Sequence, residues 1–599
     1  MAEHTFHIPV LGIGFSIDAP LKVARYGISS VLSLVDDGLM EHLRKHYLEK
    51  DGLHYDPIEE REEDSRARRI TAYLNMVHRM VREQFDALKN SAFGPDSELH
   101  RYFELLPDYS ELKKKYHEMM ASTDSTVLQR LQHWLRERIT PGEIEVNIMT
   151  KVDKPNQAAD HTDLPVEFND AHASLRGFAL SELESGIVFS AGFNPRLYNY
   201  ISNFSDFYPD AEGRLRKRII VKVSDFRSAL IQGKFLAKKG LWVSEFRIES
   251  GLNCGGHAFA TDGLLMGPIL EEFRSRRDEL HEEIMAVYRG ALVARNIDFH
   301  ESAMQFAVTA QGGVGTSSEH EFLLRHYGLQ SIGWGSPFLL VPEVMNVPDE
   351  TLERLRAARS EDLYLSEVSP LGVPFNNLRG NEKDTEKYQL AAAGKPGSPC
   401  IKKFLSFNTD YGQKPLCTAS ITFLKHKIRD LREQHGEQGD FDEARNEAIE
   451  KACLCEGLTV SALNVNLIDI PKLSKAVSVC PGPNLAYFSR ISTLKQMVDH
   501  IYGRINIMTD PNRPHMFVKE LQLYIDYFQR LLTDGIATVP AKTEEYLQAF
   551  ADNLFKGIEY YRGMLHELQE ESAAMRKRIA DELELLEQRL CALVPASVS

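Results

Sequence analysis

The sequence predicts an α/β protein built on a (β/α)8 TIM-type barrel, with a helical insertion and an irregular, partly helical C-terminal extension. Three observations predict it. Short apolar runs alternate with helix-like stretches over residues 6–37 and 143–343, the rhythm of a parallel sheet. Polar residues and glycines recur at the carboxyl ends of those runs, where a barrel of this kind carries its site. Glycine-rich loops follow the last two runs, and the anion site of such barrels lies after strands seven and eight. An open doubly wound sheet fits the rhythm as well; the late position of the loops favours the barrel.

The elements follow in order. HIPVLGIG is apolar and ends in two glycines. Asp18 is placed as an N-cap, with Pro20 in the first helical turn and Gly27 at the C′ position before SSVLSLV. Residues 38–140 change character: RITAYLNMVHRMVREQFDAL has helical periodicity, and the stretch is expected to be a solvated helical cap. The rhythm then resumes with EIEVNIMTK (143–151), SGIVFSAG (185–192), KRIIVKVSD (217–225), LWVSEFRIES (241–250), FAVTAQGG (306–313) and LQSIGWGS (329–336). Beyond about 365 it is lost, and Pro and Gly punctuate the chain. The stretch from about 540 to 592 is charged and helical, suited to packing or self-association. The predicted organisation is therefore a barrel over 1–37 and 141–345, the insertion at 38–140, a cysteine-bearing extension at 346–535 and a helical segment at 536–599.

Composition narrows the function classes. Of 599 residues, 43% are hydrophobic and 26% charged, ample for a packed core. The net charge of −16 weighs against a nucleic-acid surface. No run is long enough to span a bilayer, and the start MAEHTFHIPVLGIG lacks the features of a secretory signal, so a cytoplasmic, membrane-free protein is expected. Seven cysteines are too few for a disulfide scaffold of this size.

Gly312, Gly313 and Gly315 stand before Thr316-Ser317-Ser318-Glu319, a capping-box pattern opening a helix. Glycines before a capped helix let backbone N–H groups converge on an anion, and the helix dipole adds to the attraction. Gly333, Gly335 and Ser336 repeat the device after the next run and can grip the same group.

At four places the chain resembles the FMN-dependent nitronate monooxygenase family, which includes flavin-dependent enoyl-ACP reductases. They are PVLGIGFSIDAPLKVARYGISSVLSL, VNIMTK, GLNCGGHAFATDG and QGGVGTSSEHEFLLRHYGLQSIGWGSPFL. Asn253 and Cys254 stand where that family's loop usually has Glu and Ala. The resemblance covers about 6–37 and 143–343. It implies that Gly12, Ile13 and Gly14 lie against the flavin ring and that Asn147 bonds its polar edge. It implies that Gly255 and Gly256 line the same site and that the two glycine devices hold the phosphate. Lys222 would set a positive charge near the pyrimidine side; its alternative is a pair with Asp225 or Glu245. His257 matches the family's proton-transfer histidine, a role imidazole suits because it titrates near neutrality; its alternative is ordering of its own loop. For Asn147 the alternative is a strand-end cap, and for Cys254 a packed residue rather than a redox thiol.

Cys400, Cys417, Cys453, Cys455 and Cys480 fall within one irregular region, two of them beside prolines. Four thiolates could ligate a [4Fe–4S] cluster. A structural zinc site uses the same thiolates, and buried unligated cysteines are the third reading. Some members of the resembled family that act on acyl chains carry a cluster, which favours the first.

The expected activity is thus FMN-dependent oxidation or reduction of a small or acyl-chain substrate, with an iron–sulfur relay if a cluster is present. Three partner classes stay open: an electron-transfer protein, an acyl-carrier protein docking on a patch from Arg214, Arg216, Lys217 and Arg218, and a second copy of the chain. The rivals are an enoyl-thioester reductase or dehydrogenase/isomerase within the enzyme class, and a non-catalytic flavin- or metal-bearing assembly protein outside it.

Overall fold

A computed structural model describes residues 3–158, 162–190, 192–210, 212–252, 256–257, 262–436, 439–533 and 544–594. The predicted apolar runs form strands β1 (Phe6–Ile8), β2 (Ser29–Ser33), β3 (Ile144–Met149), β4 (Ser185–Ser190), β5 (Lys217–Val223), β6 (Val243–Glu249), β7 (Ala307–Gln311) and β8 (Ile332–Gly333). They close into a barrel in chain order. Each neighbouring pair is parallel, and His7 of β1 lies in register with both Ser29 of β2 and Gly333 of β8. Glycine is needed at that seam: a Cβ on Gly333 would stand 2.6 Å from Cβ of Gln311.

The period of two along each strand separates two cores. On β5, Ile219, Val221 and Val223 face outward into the main core, while Ile220 joins Val31 and Val188 in a separate buried cluster inside the barrel. Beside it, Arg247 on β6 is buried between Glu145 on β3 (3.0 Å) and Glu245 (2.7 Å). Burial pushes the Glu145 carboxyl up, against the pull of Arg247. This buried ion network fills the floor, so the space open to a ligand lies at the carboxyl ends of the strands.

The first crossover matches its expectation with one change. Gly27 closes it in the left-handed region at φ +81°, but the Asp18 carboxylate makes no cap bond. It receives Lys22 at 3.0 Å and the Asn346 amide at 2.7 Å instead. Between β2 and β3 lie the helices Asp37–Lys50, Ser65–Asn90, Glu98–Leu105, Glu111–Ala121 and Ser125–Arg138. The longest packs on the helix Asp170–Ala179 that precedes β4. Thr71 Oγ1 there donates to the Gly177 carbonyl, and a Cβ on Gly177 would lie 2.8 Å from the Ala67 carbonyl. This part of the stretch therefore packs as barrel wall.

After β8 the chain turns back across the barrel mouth. An antiparallel hairpin, β9 (Leu363–Ser366) and β10 (Phe375–Leu378), is followed by helices including Leu454–Gly457, Val460–Val465 and Met516–Thr533. The stitching is polar. Gly14 N–H donates to the Leu458 carbonyl (2.8 Å), Gly482 N–H to Ser336 Oγ (2.8 Å), and the Asn484 amide to the Val314 carbonyl (2.7 Å). The buried Asp36 carboxylate receives Lys402 and Thr459 from the extension. The last helices, Glu544–Met564 and Ala573–Leu593, pack on Met516–Thr533, with the Phe528 and Phe550 rings stacked at 5.6 Å. Among the described residues no helix is long and apolar enough to cross a membrane.

Candidate active site

A cavity of about 140 Å³ lies between the carboxyl ends of the strands and the extension. That is room for roughly ten waters, the scale of one fused ring system. Its floor follows from strand parity. Val31, Asn147, Val188, Ile220 and Arg247 point into the barrel, so the inward position next along each strand falls on Ser33, Met149, Ser190, Lys222 and Glu249, and these line the cavity together with Asn147. Its roof comes from the extension: Phe375, Phe404, Leu405, Leu454 and Leu458. The site is polar below and apolar above.

Asn147 is buried, and its Oδ1 has no hydrogen-bond partner among the described residues. An unpaired buried carbonyl costs about 1–3 kcal/mol, so this atom invites a donor from a ligand. Lys222 is present where expected, but it pairs with neither predicted acid: Nζ donates to Glu249 Oε1 at 2.7 Å. Asp225 instead caps the next helix through Ser228 N–H, and Glu245 is held by Arg247. Gln311 Nε2 also donates to Glu249 Oε1, at 2.9 Å, which fixes the acid beneath the cavity.

His257 reaches the cavity wall. Nε2 lies 2.7 Å from Ser369 Oγ, and the ring meets Phe375 edge-on at 5.2 Å. Burial lowers it to about 4. The imidazole is therefore neutral at pH 7, where the sequence suggested a group titrating near neutrality. Gly256 also lines the cavity and must be glycine, because a Cβ would lie 2.1 Å from the Phe375 ring. Gly255 and Cys254 lie outside the described residues. Gly12, in the left-handed region at φ +55°, and Ile13 line the cavity; Gly14 does not, since a Cβ there would stand 2.6 Å from the Thr459 carbonyl.

The glycine devices do not reach the cavity. Gly312, Gly313, Gly315, Gly333, Gly335 and Ser336 are absent from its lining. The capping box forms as predicted, with Thr316 Oγ1 accepting from Glu319 N–H. Its Glu319 carboxylate then fills the nest, accepting from Gly315 N–H at 2.8 Å, Thr316 N–H at 3.3 Å and Met516 N–H at 2.7 Å. Arg513 of the extension lies on the loop. It donates to Glu319 Oε1 (2.7 Å) and Oε2 (2.9 Å), to the Gly313 carbonyl (2.6 Å) and to Asn484 Oδ1 (2.7 Å). A Cβ on Gly315 would be 2.6 Å from Arg513 Nε. Burial alone would raise the Glu319 carboxyl, but Arg513, with His515 and the Gly315 N–H, outweighs it and holds Glu319 below its ordinary value. The nest holds an anion belonging to the chain itself. As folded, it does not fit a phosphate, which would face a buried carboxylate. The cavity does fit a planar ring with a donor for Asn147.

The predicted metal ligands do not assemble a metal site among the described residues. Among the described residues no group of three or more His, Cys, Asp or Glu side chains could hold a metal ion. Cys480 bonds the backbone of Gly256 at the cavity, Cys453 bonds Ser398, and Cys455 bonds the backbone of Leu405. Cys400 and Cys417 bond each other; that contact lowers Cys400 and raises Cys417. The residues of the expected basic patch all have polar partners. Arg214 pairs with Asp210, Arg216 with Asp206 and Arg218 with Glu143, while the buried Lys217 ammonium is wrapped by the carbonyls of Phe178, Ser181 and Leu183. Lys217 opens β5, at the end of the barrel away from the cavity.

Sequence reasoning missed Ser33, Ser190 and Glu249, which period-two counting from Asn147 and Lys222 around the barrel would have found. It missed the roof altogether, because no spacing in 365–480 says which apolar residues face a distant barrel.

No protein-family model matches the chain, and no curated protein matches it. Among solved structures it is similar to FabK from Thermotoga maritima, with 13% identity over 68% of this chain and 86% of that one at a TM-score of 0.31. It is similar to the enoyl reductase domain of MlnA from the macrolactin biosynthesis cluster of Bacillus amyloliquefaciens, with 15% identity over 64% and 86% at a TM-score of 0.34. It is also similar to nitroalkane oxidase from Streptomyces ansochromogenes, with 11% identity over 84% and 96% at a TM-score of 0.33. The closed eight-stranded barrel itself, and not these distant likenesses, establishes the fold.

Proposed function

We propose that the chain is a flavin-dependent oxidoreductase acting on a small or acyl-chain substrate at the mouth cavity. One observation carries the reading: the cavity at the strand ends presents the unpartnered Asn147 Oδ1, the Lys222–Glu249 pair and His257 around a ring-sized space. The sequence resemblance supplies the cofactor class, and a bound flavin would supply the exchange of electrons with the substrate. The chain's own residues do the rest. Asn147 orients the ring edge by accepting from it. Lys222 keeps donors beyond the one given to Glu249 and can offer them to a ligand oxygen. The neutral His257, steadied by Ser369, holds or accepts a proton at an imidazole nitrogen. The apolar roof excludes water and suits a hydrocarbon segment of the substrate. No cluster enters this reading, because no group of three or more cysteines among the described residues could hold one.

The test is the visible spectrum of protein purified without oxygen, before and after incubation with flavin, followed by turnover of the His257→Ala variant. Flavin bands, with turnover reduced about 100-fold or more in the variant while the bands persist, are the expected result. A protein that stays colourless after incubation refutes the reading.

A further inference from the structure

We infer that the site takes a flavin by its ring alone, so that riboflavin and FMN bind with equal affinity. The inference rests on the flavin reading above and concerns the loop Gly312–Gly315, which the resemblance assigns to phosphate. Three observations carry it.

First, the loop's anion site is filled from within. Gly315 and Thr316 N–H both go to Glu319 Oε2, and Met516 N–H goes to Oε1. These are the donors that the capped helix end would offer a phosphate. Second, the occupant is locked. Glu319 and Arg513 are both buried, and the same guanidinium bonds the Gly313 carbonyl and Asn484. His500 Nε2 sits 2.9 Å from the Gly315 carbonyl, closing the other side. Opening the nest would leave one of two buried charges unpaired. Third, the described residues lining the cavity offer no second cradle. Lys222 is the one Lys or Arg side chain among the described residues lining it, and it is held by Glu249, whose own charge repels a phosphate.

The experiment titrates the full chain with riboflavin and with FMN, following the quenching of flavin fluorescence. Equal dissociation constants, within about threefold, are expected. A phosphate held by two charge-assisted backbone bonds would gain roughly tenfold per bond. FMN bound more than about threefold tighter than riboflavin overturns the inference and leaves the flavin reading intact. If neither flavin binds, the flavin reading falls, and inorganic phosphate then decides the loop. A thermal midpoint that does not respond to low-millimolar phosphate upholds the closed nest. A saturable rise at that concentration, too dilute for general exclusion effects, overturns it.

Discussion

Replacing Arg513 with Met tests how the extension is held on the barrel. The side chain is buried and spends three guanidinium nitrogens on Glu319, the Gly313 carbonyl and Asn484. Methionine keeps much of the volume and removes the charge. What remains is a buried carboxylate with only the N–H groups of Gly315, Thr316 and Met516. Breaking a buried pair from one side costs about 3–5 kcal/mol, most of it the penalty of the stranded charge. Arg513→Met should therefore lose about that much stability at pH 7. Glu319→Gln should lose a comparable amount, and the double variant clearly less than the sum, a coupling of about 2 kcal/mol. The pH dependence has a definite sign. Glu319 is held below its ordinary value in the native protein, so the contribution of the pair is complete above about 4.5 and lost as pH falls through the lower folded value. Arg513→Met removes the strongest influence opposing burial, so the carboxyl rises relative to the parent, protonation relieves the defect, and the gap to the parent narrows as pH is lowered. The assay is urea unfolding followed by tryptophan fluorescence, to which Trp334 contributes from beneath this region, where its Nε1 donates to His320 Nδ1 at 3.1 Å. A loss under about 1 kcal/mol, with strictly additive single and double variants, would falsify the account of the locked nest.

Three further outcomes follow from the same chemistry. Asn147→Leu removes a buried carbonyl that has no partner, so the ligand-free protein should gain about 1 kcal/mol while flavin affinity falls roughly tenfold; a less stable variant with unchanged affinity contradicts the assignment. Burial holds His4 and His320 at about 3 and His257 and His515 at about 4, so their neutral forms stabilise the fold fully above 6.5 and progressively less as pH falls toward 4. The ceiling is about 2 kcal/mol for each at pH 5. Glu520, which burial raises to about 6, offsets part of this by gaining stability as pH falls below 6. Urea midpoints that stay flat from pH 7.5 to 5 would contradict this balance. Cys400 is activated by its bond from Cys417, so iodoacetamide should label it faster than the more exposed Cys591 near pH 7; the reverse order, by peptide mass mapping, removes the thiol pair from the account.

The sequence by itself determined the barrel. Eight apolar runs, their polar ends, the Gly27 turn and the Thr316 capping box are local signals, set by side-chain period, backbone freedom and capping, and each appears where it was expected. The family resemblance pointed to Asn147, Lys222, Gly256 and His257, and the fold brings all four to one end of the barrel. The partners of those groups depended on long-range packing. Lys222 meets Glu249 across adjacent strands, and His257 meets Ser369, 112 residues on. The cysteines illustrate the limit of spacing arguments: Cys400 and Cys417 meet each other, while Cys453, Cys455 and Cys480 turn to hydroxyl or backbone partners, and no group of three among the described residues could hold a metal ion. The glycine loop illustrates it most sharply. Gly312–Gly315 has the form of an anion nest in the sequence and in the fold. Which anion it holds was decided only when Arg513, some 200 residues later, packed onto Gly315 and made Glu319 the stable occupant. A nest is a local property of the backbone, whereas its occupancy is a competition among charges that only the tertiary structure brings together.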